Sequence, residues 1–226
     1  LQEVGGDLSV YYESGLQWSD WRSASDIAVG RGINRQICRA YGFLASRYRP
    51  GDRIFFFGYS RGAYAVRSLA GVIDRIGLVR AEHATERNVR QAYRLYRYAS
   101  EAGTAQAFVR AYCHDAPEIT VVGVWDTVKA LGIRLPLIWR FTNDKHAFHS
   151  DQLGPSIRHG FHALAYHERL MAYEPVLWSC PPGRGGHVHL RWFKGGHCDI
   201  GGQLRWHVEA RPLANIPLVR IPARAE

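Results

Sequence analysis

Three residues of reactive type follow one another along the chain: Ser60, Asp126 and His197. Ser60 sits in Gly58-Tyr59-Ser60-Arg61-Gly62, a Gly-x-Ser-x-Gly. Asp126 follows Gly123-Val124-Trp125, and His197 follows Gly195-Gly196. A serine hydroxyl becomes a competent nucleophile when an imidazole takes its proton and a carboxylate orients that imidazole. The expected chemistry is acyl transfer from an ester, with the members in the chain order serine, acid, histidine. Arg61 is expected to supply one oxyanion-hole N–H from its backbone. Asp199, two residues past His197, is the reserve acid or else a group that fixes the histidine loop. Each residue also has a plainer reading: Ser60 and Asp126 as turn caps, His197 as an ordinary loop histidine.

Such residues act together only if secondary structure delivers them to one place. Ile54-Phe55-Phe56-Phe57 is a short apolar run, which reads as a buried strand. Ala63 to Val72 reads as a helix. Strand, sharp turn carrying serine, then helix is the nucleophile elbow of an α/β hydrolase. Gly58 and Gly62 are expected to be small because strand and helix close on each other there. Ile119 to Trp125 is β-branched and continuous, as in a parallel strand buried on both faces, and Asp126 stands at its carboxyl end. Ligand sites of open α/β sheets form at such ends. His187 to Phe193 alternates as a strand, and the glycine-rich loop after it carries His197.

Other segments fill in the frame. Leu8 to Tyr12 is a plausible first strand, and 17–31 a polar surface loop. Ile33 to Tyr48 has helical spacing, and Pro50-Gly51-Asp52 turns into the elbow strand. Gly77 is expected to stop the elbow helix. One or two helices are expected over 81–116, with arginines and tyrosines interleaved; that face either contacts phosphates or is simply solvated. Pro155 near the start of 154–171 marks a helix carrying His159, His162 and His167. These histidines read as structural, with His159 placed to approach the site. Residues 132–150 form a lid or acyl-chain wall, or a packed loop, and 181–186 a turn. Pro217 and Pro222 interrupt the last apolar segment.

Composition narrows the partners. The 226 residues are expected to form a single domain, 1–226, with one good core. The net charge of +9 draws the protein to anionic surfaces, or is a solvated basic face. No nucleic-acid module pattern accompanies that charge, so nucleic acid is not an expected partner. The four cysteines form no C-x-x-C, which argues against a zinc ribbon and for reduced thiols in a cytoplasmic site of synthesis. No apolar run reaches membrane-spanning length and no signal peptide is visible. The chain opens at Leu1, as a fragment would.

Four blocks then resemble a known family. Gly58 to Tyr64, with Arg67-Ser68-Leu69-Ala70-Gly71 behind it, is similar to the elbow of the α/β hydrolases typified by class 1 type VI secretion lipase effectors. Gly123 to Val128, His159 to Ala165, and Trp192 to Gly202 resemble the next three blocks, so the likeness spans 58–202. The resemblance implies an α/β fold, hydrolase-like, with a mostly parallel sheet flanked by helices and shortened at both ends. It implies a Ser-Asp-His hydrolase with phospholipase A activity and no cofactor. It also implies secretion into a target cell, an ester or phospholipid substrate at an anionic membrane surface, and an immunity protein or secretion apparatus as partner. The family's Asp-Gly-Thr-type turn after its first strand is missing, and with it the source of a second oxyanion donor. Lys194, Gly196, Cys198 and Gln203 also depart from the fourth block.

Two rivals use the same residues. A metal-dependent hydrolase would draw on His187, His189, His197, His207, Asp199 and Cys198, but no helix motif such as H-E-x-x-H supports it. A degenerate, non-catalytic basic module would bind membrane or phosphate on a hydrolase core.

Overall fold

Segments rich in β-branched and aromatic residues become the strands that the pattern demands. The computed structural model describes residues 8–14, 31–98, 102–115, 117–128, 153–169, 174–178, 187–202 and 217. In chain order the elements are α1 (Arg31–Arg47), β1 (Ile54–Tyr59), α2 (Arg61–Ile76), α3 (Glu86–Arg97), α4 (Ala102–Tyr112), β2 (Ile119–Trp125), β3 (Ile157–Ala165), β4 (His187–Phe193) and the short α5 (His197–Ile200). A 3-10 turn, Ala81–His83, precedes α3. The chain divides into two compact units, 1–52, 71–117 and 131–149 in the first, and 53–70, 118–130 and 150–226 in the second.

The second unit holds the sheet. Its strands lie in the order β1-β2-β3-β4, all parallel. Parallel neighbours need crossover connections, so every strand ends on the same edge of the sheet. That geometry brings Ser60, Asp126 and the loop after β4 to one side. β2 is buried along almost its whole length, as its Val-rich run predicts. Val121, Trp125, Phe161, Ala163, Ala165 and Ile200 form a buried cluster, with Tyr59 and Phe193 packed against it.

Three expectations are corrected here. β1 is not buried on both faces: Ile54 and Phe56 point inward, while Phe55 and Phe57 are 38% and 45% exposed. Among the described strands β1 is an edge. The helix expected over 154–171 is instead strand β3. Its Phe-His-Ala-Leu-Ala run has no strong local preference, and parallel pairing to β2 and β4 on both sides decides the matter. The strand expected over 8–12 is reduced to one β-bridge at Ser9. Tyr11 there packs on Phe43 and hydrogen-bonds Glu13, which pairs with Arg39.

The first unit is helical. α1 buries Ile33, Ile37, Tyr41 and Ala45, one stripe at helical spacing. The buried Tyr41 phenol donates to the Gly77 carbonyl at 2.8 Å and accepts the Val79 N–H at 3.1 Å, tying the end of α2 to α1. α3 buries Val89, Ala92, Leu95 and Tyr96. Thr85 caps it by accepting the Asn88 N–H. The expected segments 17–30, 132–150 and 181–186 lie outside the described residues, as does all of 213–226 but Pro217.

Candidate active site

β1, β2 and β4 each lead into a turn or loop that carries one functional group at the carboxyl end of the sheet. Ser60 follows β1 with φ 56°, and Asp126 follows β2 with φ 45°. A left-handed backbone at a non-glycine residue costs on the order of 1–3 kcal/mol, so something must hold it. Backbone hydrogen bonds do so in sequence. The Ser60 N–H donates to the Trp125 carbonyl at 3.0 Å, and the Asp126 N–H to the Ala163 carbonyl at 2.8 Å. Beyond Ser60 the chain enters α2 at once, with the Tyr64 N–H donating back to the Ser60 carbonyl. Strand and helix close tightly at Gly58, where a Cβ would stand 2.6 Å from the Gly62 carbonyl oxygen. The same expectation fails at Gly62, where a Cβ would meet no described atom within 4 Å. The tight approach is made by the Gly62 backbone against Gly58, and only the strand side needs a missing side chain.

The three sequence-predicted residues come together, all within the second unit. His197 Nε2 lies 2.8 Å from Ser60 Oγ, and His197 Nδ1 lies 2.6 Å from Asp126 Oδ2. Asp126 and His197 are both buried, at 0% and 2% exposure, so the pair interacts away from bulk water. An ionised carboxylate only accepts, which puts the proton on Nδ1 and leaves Nε2 to accept the serine hydroxyl. The other carboxylate oxygen, Oδ1, accepts the Ala165 N–H at 3.1 Å. Asp199 Oδ2 accepts the Gly196 N–H at 2.9 Å and closes the loop. Arg61 begins α2 directly after Ser60, at the helix end whose N–H groups and dipole favour an anion.

Several supporting residues were not foreseen. Glu168 Oε2 accepts the His197 N–H at 3.0 Å. Tyr59 stacks on the His197 ring, centroids 4.8 Å apart, and its hydroxyl donates to the His197 carbonyl at 3.1 Å. Gly201 leaves the room for the Tyr59 ring, since a Cβ there would fall inside it. His167 Nδ1 accepts the Gly195 N–H at 3.1 Å, and its own N–H donates to the Gly195 carbonyl at 3.0 Å. The residues following β3 therefore cradle the loop following β4. Reading 154–171 as a helix hid this, because a helix would not end beside Gly195.

Behind Asp126 lies a second layer. His162 Nε2 accepts the Thr127 N–H at 3.2 Å, and its ring meets Trp178 edge-on at 5.5 Å. Burial, with the Arg67 guanidinium adding to it, pushes the His162 imidazole down to about 3, so it stays a neutral acceptor. Arg67, buried on α2, donates to the Val176 and Leu177 carbonyls and lies 4.9 Å over Trp178. Val176 in turn donates to the Thr127 carbonyl at 2.9 Å. The acid turn is thus tied to β3 through His162 and to the nucleophile helix through Arg67.

His159 does not approach these residues. It sits near the start of β3, at the far end from Asp126, stacked on His187 with centroids 5.6 Å apart. His187 and His189 share a face as expected, with Phe161 packed on His189. Among the described residues no group of three His, Cys, Asp or Glu side chains is arranged to hold a metal ion. His207 lies outside them. No described helix is long and apolar enough to cross a membrane.

Comparison with known proteins gives two matches. The family model for the catalytic domain of Tle1-like type VI secretion phospholipase effectors matches residues 2–222. The uncharacterized protein YEL023C of Saccharomyces cerevisiae is 33% identical over 193 residues, covering 80% of this chain. The chain spans only 27% of that relative's length. No solved structure matches.

Proposed function

This chain belongs to the family of Tle1-like catalytic domains of type VI secretion phospholipase effectors, and on that premise we propose that it is a serine hydrolase cleaving carboxylic esters of phospholipids. The observation that carries the reading is the unbroken chain of contacts from Ser60 Oγ through His197 to Asp126. Ser60 attacks the acyl carbonyl while His197 Nε2 takes its proton. Asp126 stabilises the imidazolium that forms. The tetrahedral oxyanion is held by backbone N–H groups, Arg61 supplying one, each donor contributing roughly 3 kcal/mol. His197 then protonates the leaving alcohol, which departs as a lysolipid, and Ser60 is left acylated. Water, deprotonated by the same imidazole, attacks the acyl-enzyme and releases the fatty acid.

Geometry supports pre-organisation. Ser60 and Asp126 are each fixed by a strained backbone, so little reorganisation is left for the moment of reaction. The family also brings delivery into a target cell and a neutralising partner protein within the proposal. A fluorophosphonate probe tests nucleophile, base and oxyanion site together. Stoichiometric labelling mapped to Ser60, lost in Ser60→Ala, is the expected result. Labelling elsewhere, or none in a folded protein, overturns the assignment.

A further inference from the structure

Helix α3 carries four arginines, Arg87, Arg90, Arg94 and Arg97. At about 100° per residue they fall within an arc of about 80°, directly opposite the buried Val89, Ala92 and Tyr96. Arg87, Arg90 and Arg94 are exposed and Arg97 is partly so. The only acid on the helix is Glu86, which pairs with Arg90 at 2.5 Å. The inward side is anchored: the Tyr93 hydroxyl donates to Asn34 of α1 at 2.7 Å, and Gly71 makes room for Tyr96. The arginine stripe is therefore held outward by a rigid support.

Helix stability does not account for the stripe. Arg94 and Arg97 in the last turn suit the helix dipole, but Arg87 lies in the first turn, where a cation is disfavoured. A row of guanidinium groups with fixed spacing matches a surface of phosphates. At the end of the row Tyr98 is 67% exposed, with the Arg97 guanidinium 5.6 Å over its ring. A tyrosine beside arginines suits the headgroup layer of a bilayer. No aliphatic side chain accompanies them on this face, so adsorption without insertion follows.

We propose that the α3 arginine stripe is a docking surface for anionic lipid bilayers. The choice of lipid over nucleic acid rests on the proposed phospholipase reading; the charge pattern itself does not. Binding of this kind is electrostatic, about fivefold in affinity for each arginine near the surface, and is screened by salt.

The test uses the Ser60→Ala chain, which cannot consume its vesicles. Sedimentation with phosphatidylcholine vesicles, with and without phosphatidylglycerol, measures partitioning. Strong binding to the anionic vesicles alone, lost in high salt, is expected. Changing all four stripe arginines to Gln lowers it by several hundredfold, roughly fivefold for each charge. Changing Arg35, Arg47, Arg49 and Arg110 to Gln removes the same charge elsewhere and costs much less. The four stripe residues changed to Lys retain binding, which guards against a folding defect. Equal loss in both Gln sets, retained binding in the stripe set, or stripe-dependent binding to duplex DNA but not to vesicles overturns the proposal. Turnover of a short soluble ester by the Ser60 chain is measured separately. A protein that docks but never turns over ester sinks the catalytic reading and leaves this one standing.

Discussion

The turns at Ser60 and Asp126 are built differently from the loop that carries His197. The first two stand at strand ends with left-handed backbones, pinned by main-chain hydrogen bonds to the neighbouring strand. The third turns through a left-handed glycine, Gly195, takes one main-chain bond from the His167 N–H, and is otherwise held by side chains: Glu168, Tyr59, His167 and Asp199. Main-chain bonding survives most substitutions, so nucleophile and acid are positioned by the sheet itself. The histidine is positioned largely by side-chain contacts, which single mutations remove. A catalytic imidazole takes a proton from the serine and passes it to the leaving group, and a side-chain mounting leaves it adjustable where a strand end would not.

The sharpest break of this contrast is Ser60→Gly. Loss of the nucleophile should cut ester turnover by roughly 10³- to 10⁶-fold. Because glycine accepts the φ of 56° at no steric cost, the variant should also be about 1 kcal/mol more stable, raising Tm by about 2–4 °C. A fall in Tm would mean that Ser60 carries no backbone strain. Next in size is Asp126→Asn, expected to lower kcat by about 10³- to 10⁴-fold through the wrong imidazole tautomer. Asp199→Asn should cost no more than about tenfold, and the reverse order would exchange the two acids' roles.

The side-chain mounting is tested more gently. Glu168→Ala should lower kcat about tenfold by loosening the His197 backbone, while Glu168→Gln, still an acceptor, should recover most of it. Equal loss in both would show that charge, not the hydrogen bond, matters there. A separate effect falls on stability against pH. His162 is held well below its ordinary range, so the unfolded chain binds a proton that the folded chain does not. Stability from this residue is complete above about pH 6.5 and falls as pH drops toward 3, by about 1.4 kcal/mol per pH unit. His162→Gln should flatten that slope in urea melts taken across this range.

Legibility in the sequence followed the same division. The elbow around Ser60 and the strand leading to Asp126 could be read because their signals are local: an apolar run, a small residue, then a polar one. His197 was legible by order and by its glycines. Strand β3 was not, since Phe161 to Ala165 suits a helix as well as a strand and only its two neighbours choose. With β3 misread, Glu168 and His162 had no visible reason to matter. Gly62 was credited with a need for a missing side chain that, of the two elbow glycines, only Gly58 has.

What the amino-acid order determined by itself was the set of reactive groups and the strand-turn-helix that presents the serine, because those depend on residues adjacent in the chain. Tertiary structure alone decided what holds the histidine loop and how 157–165 folds. Each of those rests on contacts between segments far apart in sequence, whose free energy exists only once the parallel sheet has formed.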